Sequence, residues 1–281
     1  MIPTDAFLRR IQTDRKARKY WRKLVWKNGR KFCTRCRSTR VYQVVGRRYR
    51  CRRCRYIFGD GTGRWLGQMK LTATQWLWVV KLFELEVSAH RLAREVGVSY
   101  PTALRACQVI RRAIVAHTAP RLLQGEIELD EAYFGGRRKG KRGRGAAGKV
   151  PVFGILERRG QVQVEAVGDV TAERLINLTL KKVRRGSIVY TDKFRGYDSL
   201  MWCGYRHLRL DHRKVFATGK VYINGLEGFW SYAKQRLAKF HGVSPRYFPL
   251  YLKEMEFRYN HREQSLFELL AQVVTKPVSD R

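Results

Sequence analysis

Four of the six cysteines in this chain fall as Cys33-x-x-Cys36 and Cys51-x-x-Cys54, with residues 37–50 between the pairs. Two knuckles so spaced can set four thiolates tetrahedrally around one zinc ion. The intervening "RSTRVYQVVGRRYR" places β-branched and aromatic residues on both sides of Gly46, as a hairpin would. The pattern predicts a zinc ribbon. The plainer alternative, a set of buried or redox cysteines, does not explain the paired spacing. Cys107 and Cys203 sit singly in apolar patterns and read as packing residues.

A second cluster is acidic. "GEIELDEAYFGG" crowds Glu126, Glu128, Asp130 and Glu131 together in a chain that carries 59 Lys+Arg against 23 Asp+Glu, a net charge of +36. In a strand here Ile127 and Leu129 face one way and Glu128 and Asp130 the other. Asp192 ends "SIVYTD", a run suited to a buried strand. If the two strands are parallel neighbours, both aspartates emerge side by side at one carboxyl edge. Carboxylates held together repel unless cations lie between them, and hard oxygen ligands of this kind suit magnesium.

A third acid comes from the helix "INGLEGFWSYAKQRLAKF". Its apolar stripe is Ile223, Leu226, Trp230, Ala233, Leu237 and Phe240. Beside it run Asn224, Glu227, Ser231 and Lys234, so Glu227 stands at the border of the packed face and Lys234 two turns on, placed for a phosphate. Core packing accounts for Trp230 more simply than base stacking does. Glu126, Glu128, Glu131 and Asp198 read as ordinary surface charge paired with the abundant arginines.

The elements that must hold these residues divide the 281-residue chain as follows. Residues 1–27 are a basic N-terminal segment, 28–62 the ribbon, 63–120 a helical DNA-binding domain, 121–262 the acid-bearing α/β domain and 263–281 a C-terminal tail. Within the helical part, "SAHRLAREVGVSYPTALRACQVIRRAI" reads as helix, turn at Gly97, and second helix opened by Ser99 and Pro101. Ala103, Cys107, Ile110 and Ile114 share one face of that helix; Thr102, Arg105, Gln108 and Arg112 share the other. This is a helix-turn-helix with its recognition face outward. A helical hairpin with a solvated charged side is the alternative. From residue 126 the order is β-β-β-α-β-α-β-α, that of a mixed α/β, ribonuclease-H-like domain with a five-stranded mixed sheet. Its first two strands are joined by a mobile basic loop carrying Arg137, Arg138, Lys139, Lys141 and Arg142.

The charge implies a polyanionic partner, and double-stranded DNA suits the ribbon and the helix-turn-helix best. A membrane does not: the apolar stretches are interrupted by charge and fall short of a span. The N-terminus lacks the apolar core of a signal peptide, which places the protein in the cytoplasm, associated with the nucleoid.

These residues carry a resemblance. The segments "CTRC…CRRC", "FGDGTGRWLGQ", "LDEAYFGG", "VPVFGI", "YTDKFRGYDSL", "INGLEGFWSYAK" and "EFRYNHR" occur in order from about residue 28 to 262. They resemble bacterial insertion-sequence transposases of the DDE type with an N-terminal zinc ribbon, the IS-fifteen-ninety-five family. The resemblance implies that Asp130 and Asp192 are the catalytic aspartates and Glu227 the third acid. Asn224 is the alternative third ligand, because members vary between Glu and Asn. It also implies two catalytic Mg2+ or Mn2+ ions beside the structural Zn2+, binding of transposon ends and target DNA, and a homo-oligomer of two or more copies. Water would nick the element's end, and the freed 3′-hydroxyl would then attack target DNA. Tyr222 departs from the family, which usually has His there. Two rival functions remain: a DNA-binding regulator without catalysis, and a relic transposase domesticated for binding.

Overall fold

The computed structural model describes residues 2–135, 149–192, 195–210 and 223–278. The chain forms two compact units, one of Met1–Thr118 with Glu263–Arg281, the other of Ala119–Arg262. The first holds α1 (Thr4–Ile11), α2 (Asp14–Val25), β1 (Val41–Val44), β2 (Arg48–Cys51), β3 (Ile57–Phe58), α3 (Ala73–Glu84), α4 (Ala89–Val96) and α5 (Tyr100–His117). The second holds β4 (Glu126–Phe134), β5 (Val150–Glu157), β6 (Val162–Ala166), α6 (Ala172–Lys182), β7 (Ile188–Asp192), β8 (Arg206–Leu210), α7 (Asn224–Ala238) and α8 (Phe248–Asn260). A last helix, α9 (Leu266–Thr275), belongs to the first unit.

Two segments differ from their reading in the sequence. Residues 1–27 are helical, because α1 and α2 bury Phe7, Ile11, Ala17, Trp21 and Val25 beneath their cations. Thr13 starts α2 by accepting from the Lys16 N–H at 3.2 Å. Nor are residues 263–278 a loose tail. Helix α9 buries Phe267, Leu270, Ala271, Val273 and Val274, and it packs against α2, α3 and α5. Lys81 and Glu84 on α3 pin both ends of the chain. The Lys81 ammonium donates to the Ile2 carbonyl at 2.7 Å and to Glu84 Oε2 at 2.8 Å, while Glu84 Oε1 accepts from the Phe267 N–H at 3.2 Å. Both side chains are buried, and such charges are tolerated only when paired and hydrogen-bonded.

The ribbon is the three-stranded sheet β1-β2-β3. Trp26, Phe32, Tyr49 and Phe58 form an aromatic cluster beside it, and the buried Arg64 guanidinium lies 4.6 Å from the Trp26 ring. Thr72 and Gln75 form a reciprocal capping box at the start of α3.

In the second unit the sheet order is β6-β5-β4-β7-β8. Neighbours β4/β7 and β7/β8 are parallel, and the other pairs antiparallel. This is the mixed five-stranded sheet of a ribonuclease-H-like fold. Helices α7 and α8 cover the face of Ala132, Phe134, Val152 and Val164. Helix α6 and a 3-10 segment, Arg195–Cys203, cover the face of Ile127, Leu129, Phe153 and Val189. The edge strand β6 is shielded by "EFRYNHR". Glu256 Oε2 accepts from the Val164 N–H at 2.7 Å, and Asn260 exchanges two bonds of 2.8 Å with Val162. Side chains one helical turn apart thus occupy backbone groups that would otherwise invite another strand.

Candidate active site and zinc centre

Strand β4 sorts its residues by alternation. Ile127 and Leu129 lie in the α6-side core; Glu126, Glu128 and Asp130 face α7. The β4/β7 register pairs Glu126 with Ile188 and Glu128 with Tyr190, and the same offset brings Asp130 level with Asp192 where the two strands part. Asp192 ends β7, whereas Asp130 lies midway along β4, which runs on to Phe134 paired with β5. The two aspartates come level where β7 stops, rather than at a carboxyl edge shared by both strands. Glu227 stands exposed on the first turns of α7, with Asn224 exposed one turn before it.

The charges of Asp192 and Glu227 both act on Asp130. Burial, above all, pushes the Asp130 carboxyl up to about 6; N–H groups of Trp230 and Glu131 oppose this, and the charges of Asp192 and Glu227 add to it. Converging acids of this kind fit a divalent cation. Among the described residues only the four cysteine sulfurs gather, as three or more ligand atoms, within 4.8 Å of one another. The oxygens of Asp130, Asp192 and Glu227 do not gather that closely.

Two contacts hold the acid-bearing elements together. The Trp230 indole N–H donates to Asp130 Oδ2 at 2.9 Å. Gly154 is the residue opposite Asp130 on β5, and a Cβ there would lie 2.5 Å from Trp230 Cζ2, so only glycine leaves room for the ring. Trp230 is a core residue, as its stripe predicts, but one whose polar atom is aimed at the acid. Lys234 is exposed, with its ammonium 5.8 Å from the Phe134 ring centre.

Glu128 is the second contact, and it is not surface charge. It is 1% exposed, accepts from the Leu226 N–H at 3.0 Å and from Arg158 Nε at 3.1 Å. Burial raises its carboxyl above the ordinary value, against the N–H groups of Leu226, Arg158 and Gly225. Helix α7 lacks a side-chain cap from Ile223, so Glu128 supplies acceptor and negative charge at its N-terminus. The signal was present in the sequence: Glu128 shares the face of Asp130. Glu126 is tied to Arg158 at 2.7 Å and to the Tyr190 hydroxyl at 2.9 Å, and Glu131 accepts from the Tyr197 hydroxyl. Asp198 pairs with Arg209 at 3.0 Å on the surface.

In the ribbon, Cys33 and Cys54 sulfurs lie 3.5 Å apart, as do those of Cys36 and Cys51. Tetrahedral Zn–S bonds of ~2.3 Å set sulfurs ~3.8 Å apart, so the four thiols fit one zinc ion. Elemental analysis of the purified protein is expected to give one zinc per chain. Cys36→Ser should release it and unfold the ribbon while the α/β unit keeps its own thermal transition. Four thiols that titrate freely in the native protein would contradict this.

Helix α4 ends at Gly97, whose φ of 68° is the left-handed turn a glycine permits. On α5, Ala103, Cys107, Ile110 and Ile114 are buried, Arg105 and Arg112 exposed, and Thr102 and Gln108 half-buried. The sequence reading missed Arg111, buried 5.4 Å from the Phe83 ring centre, and the exposed Tyr100, whose ring lies 5.1 Å from that of His90. Arg137, Arg138, Lys139, Lys141, Arg142 and Tyr222 lie outside the described residues. No helix among the described residues is long and apolar enough to cross a membrane.

The chain is similar to known transposase families. Residues 122–260 match the ISXO2-like transposase domain family, and residues 12–57 the transposase zinc-ribbon domain family. A transposase-like protein of Haemophilus influenzae is 42% identical over 115 residues, covering 41% of this chain and 94% of that protein. A protein in transposable element ISH50 of Halobacterium salinarum is 30% identical over 282 residues, covering 92% of this chain and 93% of that protein. Among solved structures, the Mos1 Strand Transfer Complex is 14% identical with a TM-score of 0.31, covering 72% of this chain and 74% of that one. A pre-cleavage Mos1 transpososome gives 14% and 0.29, covering 72% and 79%. Overlaps this loose carry no weight, and the fold rests on the strand order itself. With both domain families matched in order and a relative aligned over most of its length, the chain belongs to the IS-fifteen-ninety-five family of insertion-sequence transposases.

Proposed function

We propose that this transposase binds double-stranded DNA at the ends of its element and cuts and joins strands at Asp130, Asp192 and Glu227. The observation that carries the reading is the β4/β7 register that brings Asp130 level with Asp192, with Glu227 on α7 near enough for its charge to act on Asp130. Bound Mg2+ or Mn2+ would supply stabilisation of the attacking and leaving oxygens of an in-line displacement. The protein's own groups do the rest. Asp130, Asp192 and Glu227 hold the cations, with Asn224 the alternative to Glu227. Trp230 keeps the Asp130 carboxylate oriented, Glu128 anchors the helix that carries Glu227, and Lys234 takes a phosphate. Thr102, Arg105, Gln108 and Arg112 face the DNA bases and backbone, and Arg137, Arg138, Lys139, Lys141 and Arg142 add charge along the duplex. Water attacks first, and the freed 3′-hydroxyl then attacks target DNA. Bringing two ends together requires at least two copies of the chain.

The test is strand nicking of end-containing duplex in magnesium. Asp192→Asn removes one cation ligand, worth several kcal/mol in the transition state, so nicking should fall about a thousandfold. DNA affinity should stay within about threefold of wild type, since the substitution touches no phosphate contact. Tight binding by the wild-type protein with no magnesium-dependent nicking would instead make it a regulator.

A further inference from the structure

The first unit contains a groove of about 530 Å³ between α2 and the ribbon. Arg15, Arg18, Lys19, Arg22 and Lys23 line it from one face of α2, opposite the face that buries Ala17, Trp21 and Val25. Lys31 and Arg47 line it from the ribbon. Arg18 is paired with Asp14, and Arg22 lies 3.4 Å from Asp60. Among the described residues no carboxylate pairs with Arg15, Lys19, Lys23, Lys31 or Arg47.

So dense a set of like charges is unfavourable in the free protein. Arg15 and Lys19, Lys19 and Lys23, and Arg18 and Arg22 are each four residues apart on one helix, where like charges repel. A concave wall of one sign also focuses the field outward. Both features are relieved by a polyanion in the groove. We infer that the groove is a second DNA site, one that grips the phosphate backbone of duplex DNA apart from the recognition face of α5. The inference rests on the DNA-binding reading above and names a place for contacts which that reading leaves to other residues.

The chemistry favours duplex over other polyanions. Single strands are gripped by stacking on exposed rings, and the aromatic lining, Trp26, is only 1% exposed. Membrane-surface helices bury an apolar face in lipid, and the apolar face of α2 is already buried in protein. From Arg15 to Lys23 the helix rises about 12 Å, roughly the axial rise of three or four phosphates on one strand. Long cationic side chains at that spacing hold register on a backbone and read no bases.

The test compares full-length wild type with a Lys19→Ala, Lys23→Ala, Arg47→Ala triple variant; all three side chains are exposed. Unchanged zinc content and circular dichroism establish that the variant is folded. Binding to end-containing and scrambled duplex is measured by anisotropy across a salt series. Loss of three phosphate contacts should flatten the slope of log K against log salt by about 2.7 and weaken both duplexes by about a hundredfold at 0.15 M salt. An Arg105→Ala control should instead change the ratio between the two duplexes. An unchanged slope in the triple variant overturns the groove, even where Arg105→Ala behaves as stated. A loss confined to single-stranded DNA, RNA or anionic vesicles overturns it too. If wild type binds neither duplex, the DNA-binding reading falls and the groove with it. If only the Arg105→Ala arm fails, the groove stands and the recognition face is misplaced.

Discussion

Glu227→Gln is expected to lower magnesium-dependent nicking at least about a thousandfold while leaving DNA affinity near that of wild type. Asn224→Ala is expected to slow it only several-fold. Both side chains are exposed on the first turns of α7, so position alone does not choose between them. Charge does. Two magnesium ions carry twice the charge that Asp130 and Asp192 offset, and a third carboxylate binds a hard cation far better than a neutral amide. Glu227 is also one of the two acids whose charge acts on Asp130. Lys234, proposed above to take a phosphate, follows Glu227 by seven residues, two turns along the same line. The assay is nicking of end-containing duplex by each variant, with affinity measured in parallel. Normal cleavage by Glu227→Gln and none by Asn224→Ala would transfer the third-ligand role to Asn224.

The placement of the candidate acids was legible because its logic is local and periodic. Alternation along β4 assigns Asp130 to one face, and a parallel neighbour ending in Asp192 brings the two level. Glu128 was misread because alternation says which face a residue takes and nothing about what lands on it. The N-terminus of a helix nearly one hundred residues later arrives there, and Gly225 lets it come close: a Cβ at that position would lie 2.8 Å from Glu128 Oε2. Phe229 was missed for a related reason. Helix α7 is covered by α8 as well as the sheet, and Phe229 meets Tyr259 of α8 at 5.2 Å. In α1 and α2 the cations hid a sparse apolar stripe. In residues 263–281 the spacing of Phe267, Leu270, Ala271 and Val274 carries a helical period, but no local pattern tells which unit such a helix joins.

That joining has a consequence large enough to measure. Ending the chain after Arg262 should leave the first unit unfolded, although the cut lies well over a hundred residues beyond α5. Helix α9 buries Phe267, Leu270, Val273 and Val274 against the elements that hold α5 in place. At roughly 1.5–3 kcal/mol for each large apolar side chain, the loss is comparable to the 5–15 kcal/mol that stabilises an ordinary domain. The cut also removes the Phe267 N–H from Glu84 and the Thr275 carbonyl from Arg64, leaving buried polar groups without those partners. The truncated protein should lose its affinity for end-containing duplex together with one thermal transition. The unit of Ala119–Arg262 draws no residue from the deleted segment and should keep its own transition. Phe267→Ala in the full-length chain is the graded version, and should cost about 3–5 kcal/mol in the first unit alone. If the truncated protein binds end-containing duplex as the full-length chain does, with both transitions unchanged, α9 is dispensable and residues 263–281 act as a tail after all.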